Sequence, residues 1–411
     1  MSNETVVALN DLAQALGDDE AHDDLVVGLL SDTVSMIRRL AMRHDQAVPI
    51  LATLLDVLAG VHRRNLRAEV ALPLAEEHVA IRRSLTAASA DPQHRVKQAR
   101  ALAELSRTLS VLNRHHESLA AAQEAVAQVR EASAAGHPAL RELADNLSNL
   151  QRCLYSVARS EEALAAAQEA VGVEAQLRLV DPTGDPTRFA EALTDLASRL
   201  GDLERYSAAA TAMQEAAALL RQLASEGSTD AQYILADALD SLGYYTTMAE
   251  TWPEAVAACR EAVAVRRRLP AREGTHDAVR LAGALHDLAS ALRDAGRPEQ
   301  VAQVIGEAIV RYRPLSEAGL LAPGDLWRFA TAVGLYRLQL VEAGQHQTAL
   351  APAREQVTLY RHLAKERPDR HLRHLAQALE SLADILTVLG HHSEAAAAHA
   401  EAESIRSSAP I

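Results

Sequence analysis

Seventeen histidines in 411 residues raise metal binding first, because imidazole is the commonest protein ligand for transition metals. His371 and His374 stand one helical turn apart, and His391, His392 and His399 follow closely. However, His115-His116, His346 and His391-His392 recur at one point of a repeating pattern, a turn where any polar residue would serve, so no metal or other cofactor is expected. The adjacent pair His286-Asp287 could act as base and acid in a pocket. There is no phosphate loop with its lysine, no HExxH, no GxSxG and no cysteine-pair motif, so the chain reads as a non-enzyme; an activity housed in a groove without such a motif is the alternative. The acidic run DDEAHDD at 18–24 lacks the glycine of a calcium loop and reads as a solvated turn.

Recognition is a better match to the residue types present. Arg107, Arg152 and Arg293 carry guanidiniums suited to a carboxylate, and Tyr155, Tyr244, Tyr245, Ser198 and Ser290 add aromatic faces and hydroxyls. Eight of the twelve aromatics fall between 233 and 336 (Tyr233, Tyr244, Tyr245, Trp252, Tyr312, Trp327, Phe329 and Tyr336), a clustering that suits an anchor pocket or, equally, core packing.

The elements that position these residues are written in a repeated phrase. ALNDLAQALGD at 8–18 returns as ALTDLASRLGD at 192–202 and ALHDLASALRD at 284–294. Its leading apolar residue runs Leu9, Leu55, Leu102, Leu147, Leu193, Leu239, Leu285, Val333, Leu379, in steps of 45 to 48 residues. Apolar or small residues return three, four and seven positions later, the stripe of an amphipathic helix. A second apolar position four residues upstream (Leu51, Leu143, Phe189, Leu235, Leu281, Phe329, Leu375) extends that helix by a turn.

Twenty-two residues after each anchor an acid recurs within a second alanine-rich helix: Glu77, Glu124, Glu169, Glu215, Glu261, Glu307, Glu355 and Glu401, with Asp32 one residue late. Breakers alternate with the helices: Gly17, Gly201, Gly296, Gly344 and Gly390 after the first helix, and Asp91-Pro92, Gly136, DPTGDP at 181–186, Gly227, Gly274, APGD at 322–325 and Pro368 after the second. Helices of about 18 to 20 residues, near 28 Å long, fit between them. Arginine pairs late in the second helix (Arg38-Arg39, Arg82-Arg83, Arg266 to Arg268) oppose the negative helix end and can pair with acids a turn away.

Composition sets the remaining bounds. Aromatics are only 3% of the chain, so close helix packing on alanine replaces a deep aromatic core. A net charge of −14 disfavours nucleic acid, although residues 61–114 are locally basic, with ten Arg or Lys against five acids. Cys153 and Cys259 are too few for a disulfide framework and read as core fillers. The N-terminus has no basic start followed by an apolar run, and no stretch approaches 18 apolar residues; a cytoplasmic chain without membrane contact is expected. Two lysines against 39 arginines point to a GC-rich genome.

These hairpins resemble the tetratricopeptide repeat. Leu239, Leu242, Gly243 and Thr246 match its first helix and Ala255, Cys259 and Ala262 its second; Leu147, Leu150, Leu154, Ala163, Ala167 and Ala170 match in the same way. The period is near 46 rather than the usual 34, and leucine replaces the family's tryptophan and tyrosine, as in long-repeat actinobacterial proteins. The resemblance implies an all-α, right-handed superhelical solenoid of about nine hairpins. One solenoid domain would span 5–406, with repeats starting near 5, 48, 94, 139, 185, 230, 277, 325 and 370, and tails 1–4 and 407–411. The family's concave face is lined by first helices and holds proteins or peptides, so a scaffold is expected; a regulator closing around a small molecule or signalling peptide is the alternative. Positions one, five and eight after each anchor would face the groove, which selects most of the recognition residues named above. The family's carboxylate clamp, lysine and asparagine at positions one and five, is absent: the first position reads Asn10, Asp56, Ala103, Ser148, Thr194, Asp240, His286, Gly334, Glu380.

A single hairpin cannot offset its own ordering entropy, about 1–2 kcal/mol per residue, so each must bury its stripe on its neighbours. Replacing Leu196 and Leu200 with glycine should therefore split the protease-resistant core near mid-chain. One intact resistant core on limited proteolysis would contradict nearest-neighbour cohesion.

Overall fold

The computed structural model describes residues 23–136, 139–181, 184–269 and 275–408. The helix expected around Leu9, with the turn at Gly17 and the run at 18–24, lies almost wholly outside them. Two compact units divide the chain, Met1–Arg205 and Tyr206–Ile411. The first contains α1 (Asp23–Ala41), α2 (Val48–Arg64), α3 (Ala68–Ala87), α4 (Pro92–Val111), α5 (His115–Ala134), α6 (Leu140–Ser156), α7 (Ser160–Val180) and α8 (Thr187–Asp202). The second contains α9 (Tyr206–Ser225), α10 (Thr229–Met248), α11 (Trp252–Arg268), α12 (His276–Asp294), α13 (Pro298–Glu317), α14 (Pro323–Glu342), α15 (His346–Glu366), α16 (Pro368–Val388) and α17 (His392–Ser408). Among the described residues there is no strand, and no helix is long and apolar enough to cross a membrane.

Within each unit every helix packs on the next, which is the solenoid arrangement of tetratricopeptide-like hairpins. The anchors carry that packing: Leu55, Leu102, Leu147, Leu193, Leu239, Leu285, Val333 and Leu379 are all at most 2% exposed. Small residues set the closeness of approach. A Cβ on Gly243 would stand 2.5 Å from Cys259 Sγ, so α10 and α11 touch backbone to side chain at the crossing where the repeat pattern calls for small residues. Both cysteines are free and buried.

Among the described residues, the turn after each first helix is one motif used eight times. Leu66, Asn113, Ala158, Glu204, Glu250, Gly296, Gly344 and Gly390 all have φ between 57° and 79°, at steps of 45 to 48 residues. The next N–H reaches back to a carbonyl five residues earlier, as in Arg114 to Leu109, Thr251 to Thr246 and His391 to Leu386, closing the helix end with a Schellman bond. Gly201 is not this residue; it lies inside α8, and Glu204 takes the left-handed position.

The late arginines correct the sequence reading. One of each group, Arg38, Arg83 and Arg267, reaches the recurring acid of the next second helix, not an acid a turn away. Arg38–Glu77, Arg83–Glu124 and Arg130–Glu169 join α1, α3, α5 and α7, while Arg221–Glu261, Arg267–Glu307, Arg313–Glu355 and Arg361–Glu401 join α9, α11, α13, α15 and α17. The contacts measure 2.5–2.9 Å between side chains largely open to solvent, worth about 0.2–1 kcal/mol each. Arginine spans the gap between neighbouring second helices, so the acid 22 residues after each anchor recurs for a reason that periodicity alone does not reveal.

A non-glycine residue in the left-handed region costs roughly 1–2 kcal/mol. Glu250 is exposed and holds φ 59°, so Glu250→Gly should raise the unfolding free energy by about 1 kcal/mol in urea titrations. Equal or lower stability would show that the turn is not strained.

Candidate functional site

The first helices also stack on one another: α10 touches α12, and α12 touches α14. Across them runs a groove of about 970 Å³. Its lining includes Tyr244, Tyr245, Trp327 and Ser290, four carboxylates (Asp237, Asp240, Asp287, Asp325) and two guanidiniums (Arg280, Arg328). Tyr244 is half exposed and meets the buried Tyr245 edge to face at 5.4 Å.

The floor is a charge lattice joining four helices. Arg266 of α11, its side chain only 6% exposed, is held 2.6 Å from Asp237 and directly against Asp240, both on α10. Arg280 of α12 leans toward Asp237 at 3.8 Å. Arg328 of α14 reaches Asp287 of α12 at 3.3 Å. It does so across bare backbone, since a Cβ at Gly283 would stand 2.7 Å from its guanidinium.

Burial raises the Asp240 carboxyl to about 6, and the neighbouring carboxylates of Asp287 and Asp237 add to the rise that Arg266 opposes. Burial with the charges of Asp287 and Asp240 pushes the Cys259 thiol up to about 12, so it stays protonated at neutral pH. His286 has both ring nitrogens engaged, Nδ1 with Asp287 at 3.1 Å and Nε2 with Thr331 at 3.0 Å. It ties α12 to α14, and neither nitrogen is open to a reacting group.

The first unit has a smaller groove of about 450 Å³ across α2, α4 and α6. Its lining holds five arginines (Arg63, Arg64, Arg100, Arg107, Arg141) and four acids (Asp56, Glu104, Glu142, Asp145). Glu104, buried, receives Arg63 at 2.6 Å and Arg107 at 2.9 Å; desolvation opposes its ionisation, but the two guanidiniums prevail and hold its pKa down.

Of the residues singled out from the sequence, Tyr244, Tyr245 and Ser290 line the larger groove and Arg107 the smaller. The other four lie outside both. Arg152 is exposed on α6; Tyr155 lies under the Arg199 guanidinium, 4.0 Å from its ring; Ser198 donates to the Thr194 carbonyl of its own helix; Arg293 pairs with Asp294. The aromatic cluster divides likewise, since Tyr312 and Phe329 are fully buried and pack at 5.7 Å in the core. His374 stacks on Tyr360, and among the described residues no group of three metal-ligating side chains converges. Asp237, Arg280 and Arg328 were missed because the groove also uses positions two and five before each anchor, while Asp287 and Trp327, singled out for a pocket acid and an aromatic anchor, do line it. The signal was available: Asp56 and Asp240 share the first position, and Arg280 and Arg328 the fifth upstream.

The tetratricopeptide repeat family profile matches residues 235–269, which cover most of α10 and all of α11. No curated protein matches the chain. Among solved structures, the chain is similar to a signal transduction ATPase with numerous domains from Pyrococcus horikoshii, described as having a tetratricopeptide repeat sensor, with TM-score 0.59 and 11% identity. That likeness covers 85% of this chain and 49% of the archaeal one, so the chain spans about half of that protein's length. It is also similar to the apo quorum sensor NprR from B. thuringiensis, with TM-score 0.48 and 11% identity over 98% of this chain and 99% of that one. A third likeness is to BtubC from P. vanneervenii, with TM-score 0.40 and 17% identity over 72% and 92% of the two chains. At 0.59 the first of these shows a shared fold.

The raised Asp240 carboxyl has a definite sign in stability. Folded Asp240 keeps its proton up to about pH 6, whereas the unfolded chain releases it near 3.8, so unfolding free energy falls as pH rises through that window and is level above it. Asp240→Asn should remove about 2 kcal/mol of the difference between pH 4.5 and pH 7 in urea unfolding. An unchanged difference would place the titration elsewhere.

Proposed function

We propose that this stack of tetratricopeptide-type hairpins is a binding scaffold that holds a peptide or protein segment in the groove across α10, α12 and α14. The observation that carries the reading is the groove's size and lining together: about 970 Å³, within the usual range for ligand sites, walled by aromatic faces, hydroxyls and charges of both signs. Tyr244 and Trp327 offer flat apolar contact at little entropic cost, and Asp237, Asp287, Arg280 and Arg328 can meet the donors and acceptors of an extended backbone. The engaged nitrogens of His286 and the protonated Cys259 favour binding over catalysis. The net charge of −14 favours a neutral or basic partner over nucleic acid.

A second reading, a regulator that responds to a signalling peptide or small molecule, draws support from the archaeal ATPase, whose similar repeats are described as a sensor. A ligand that both raises the melting temperature and alters the radius of gyration would favour the regulator over a passive scaffold.

Peptides selected on the full chain from a random displayed library provide the direct test. Tyr244→Ala and Arg328→Gln should each weaken the selected peptides by at least about tenfold, as expected for central contacts, with helical content unchanged. Undiminished binding to both variants would place the peptide elsewhere and defeat the reading.

A further inference from the structure

The first unit's groove carries an arginine surplus that the proposal for the second unit does not use. Glu104 alone serves both Arg63 and Arg107, and Glu142 takes Arg100. Asp145 is taken by Arg188 of α8, which also reaches Glu174 at 3.3 Å. Arg141 comes no nearer than 3.6 Å to Glu174, and its Nη1 is buried without a hydrogen-bond partner.

Arg64 is the clearest case. It is exposed, and among the described residues it meets no carboxylate. Its Nη1 lies only 4.0 Å from where a Cβ of Gly60 would stand, so the side chain folds back over a helix surface left bare. The remaining acid, Asp56, has its ring neighbour His78 at 3.5 Å, with Arg82 beyond it on α3. The groove walls displace the water that would favour the Asp56 carboxylate and raise it to about 6, so it offsets less than a full charge in mildly acidic solution. Asn146, 3% exposed in the same wall, donates through Nδ2 to the Glu142 carbonyl and leaves its Oδ1 unpartnered.

We propose that this groove is a separate oxyanion site, receiving the carboxylate or phosphate monoester of an acidic peptide segment. The guanidinium fork of Arg64 supplies charge-assisted donors of the geometry that such anions take, and Arg107, whose Nε and Nη2 donate to Glu104, lines the same groove and adds its charge. At about 450 Å³ the groove holds more than an isolated ion, so the anion arrives on a short length of chain. The two grooves thus differ in kind: arginines outnumber acids in the first, and acids outnumber arginines in the second.

Calorimetric titration of the full chain at low salt tests this with four probes: acetyl-Ala-Glu-Ala-amide, its phosphoserine and glutamine counterparts, and inorganic phosphate. The glutamate or the phosphoserine peptide, or both, should bind about tenfold more tightly than the glutamine peptide, and whichever does names the source of the oxyanion. Arg64→Gln, which breaks no ion pair in the fold, should remove most of that preference while leaving the melting temperature in place, and added salt should weaken it. Equal binding of all three peptides, or a preference unmoved by Arg64→Gln, overturns the proposal. Inorganic phosphate binding as tightly as the phosphoserine peptide overturns its peptide part. None of these outcomes bears on peptides held through Tyr244 and Arg328, so either proposal can fail while the other stands.

Discussion

Burial of one apolar residue per hairpin against the hairpins on either side is the constraint on which everything else here depends. A fully buried leucine contributes about 1.5–3 kcal/mol, less than the ordering of even a few residues costs. Cohesion therefore comes only from repetition, with each anchor shared among neighbouring helices. The eight described anchors are each at most 2% exposed, as are the alanines three positions before them, and small residues meet where helices cross, as Gly243 meets Cys259. A larger side chain at Gly243 would force α10 off Cys259 and so disturb the floor of the groove above it.

Polar groups refine what burial establishes. The arginine–glutamate contacts along the second helices lie mostly in solvent and add little energy singly, but each joins an arginine to the acid of one particular neighbour and so favours correct register. Within the first unit a buried network does the same with more at stake. Ser106, Ser118, Asn149 and Cys153 meet at 2.9–3.3 Å across α4, α5 and α6, where a slipped helix would leave several polar atoms unpaired.

The grooves follow from the stacking. First helices lie against first helices, so one side of each faces neither its partner nor its neighbour, and polar residues collect there. Burial there disfavours a bare charge, which is why Asp240 holds its proton more firmly even with Arg266 against it, and two neighbouring carboxylates add to the effect. Such a floor binds by charge and shape. The one histidine–aspartate pair near it, His286 with Asp287, is spent on joining α12 to α14 through Thr331.

The helices, their pairing and their period were legible in the sequence, because a stripe such as Leu285, Leu288, Ala289, Leu292 has one low-energy solution, an amphipathic helix with that face buried. The turns were half legible: Gly296, Gly344 and Gly390 announce a left-handed residue, whereas Leu66, Ala158, Glu204 and Glu250 hold the same conformation with no glycine to mark it. Tyr244, Ser290 and Arg107 could be placed from their distance to an anchor, five residues in each case, since rotation about one helix axis follows from local geometry. Arg328 crossing Gly283 to Asp287, Arg266 rising between two aspartates, and Arg130 reaching Glu169 could not, because each joins residues 26 to 41 positions apart, on helices whose offset is set by how side chains pack. Local pattern decides which face of a helix is covered; only packing in three dimensions decides which charges meet.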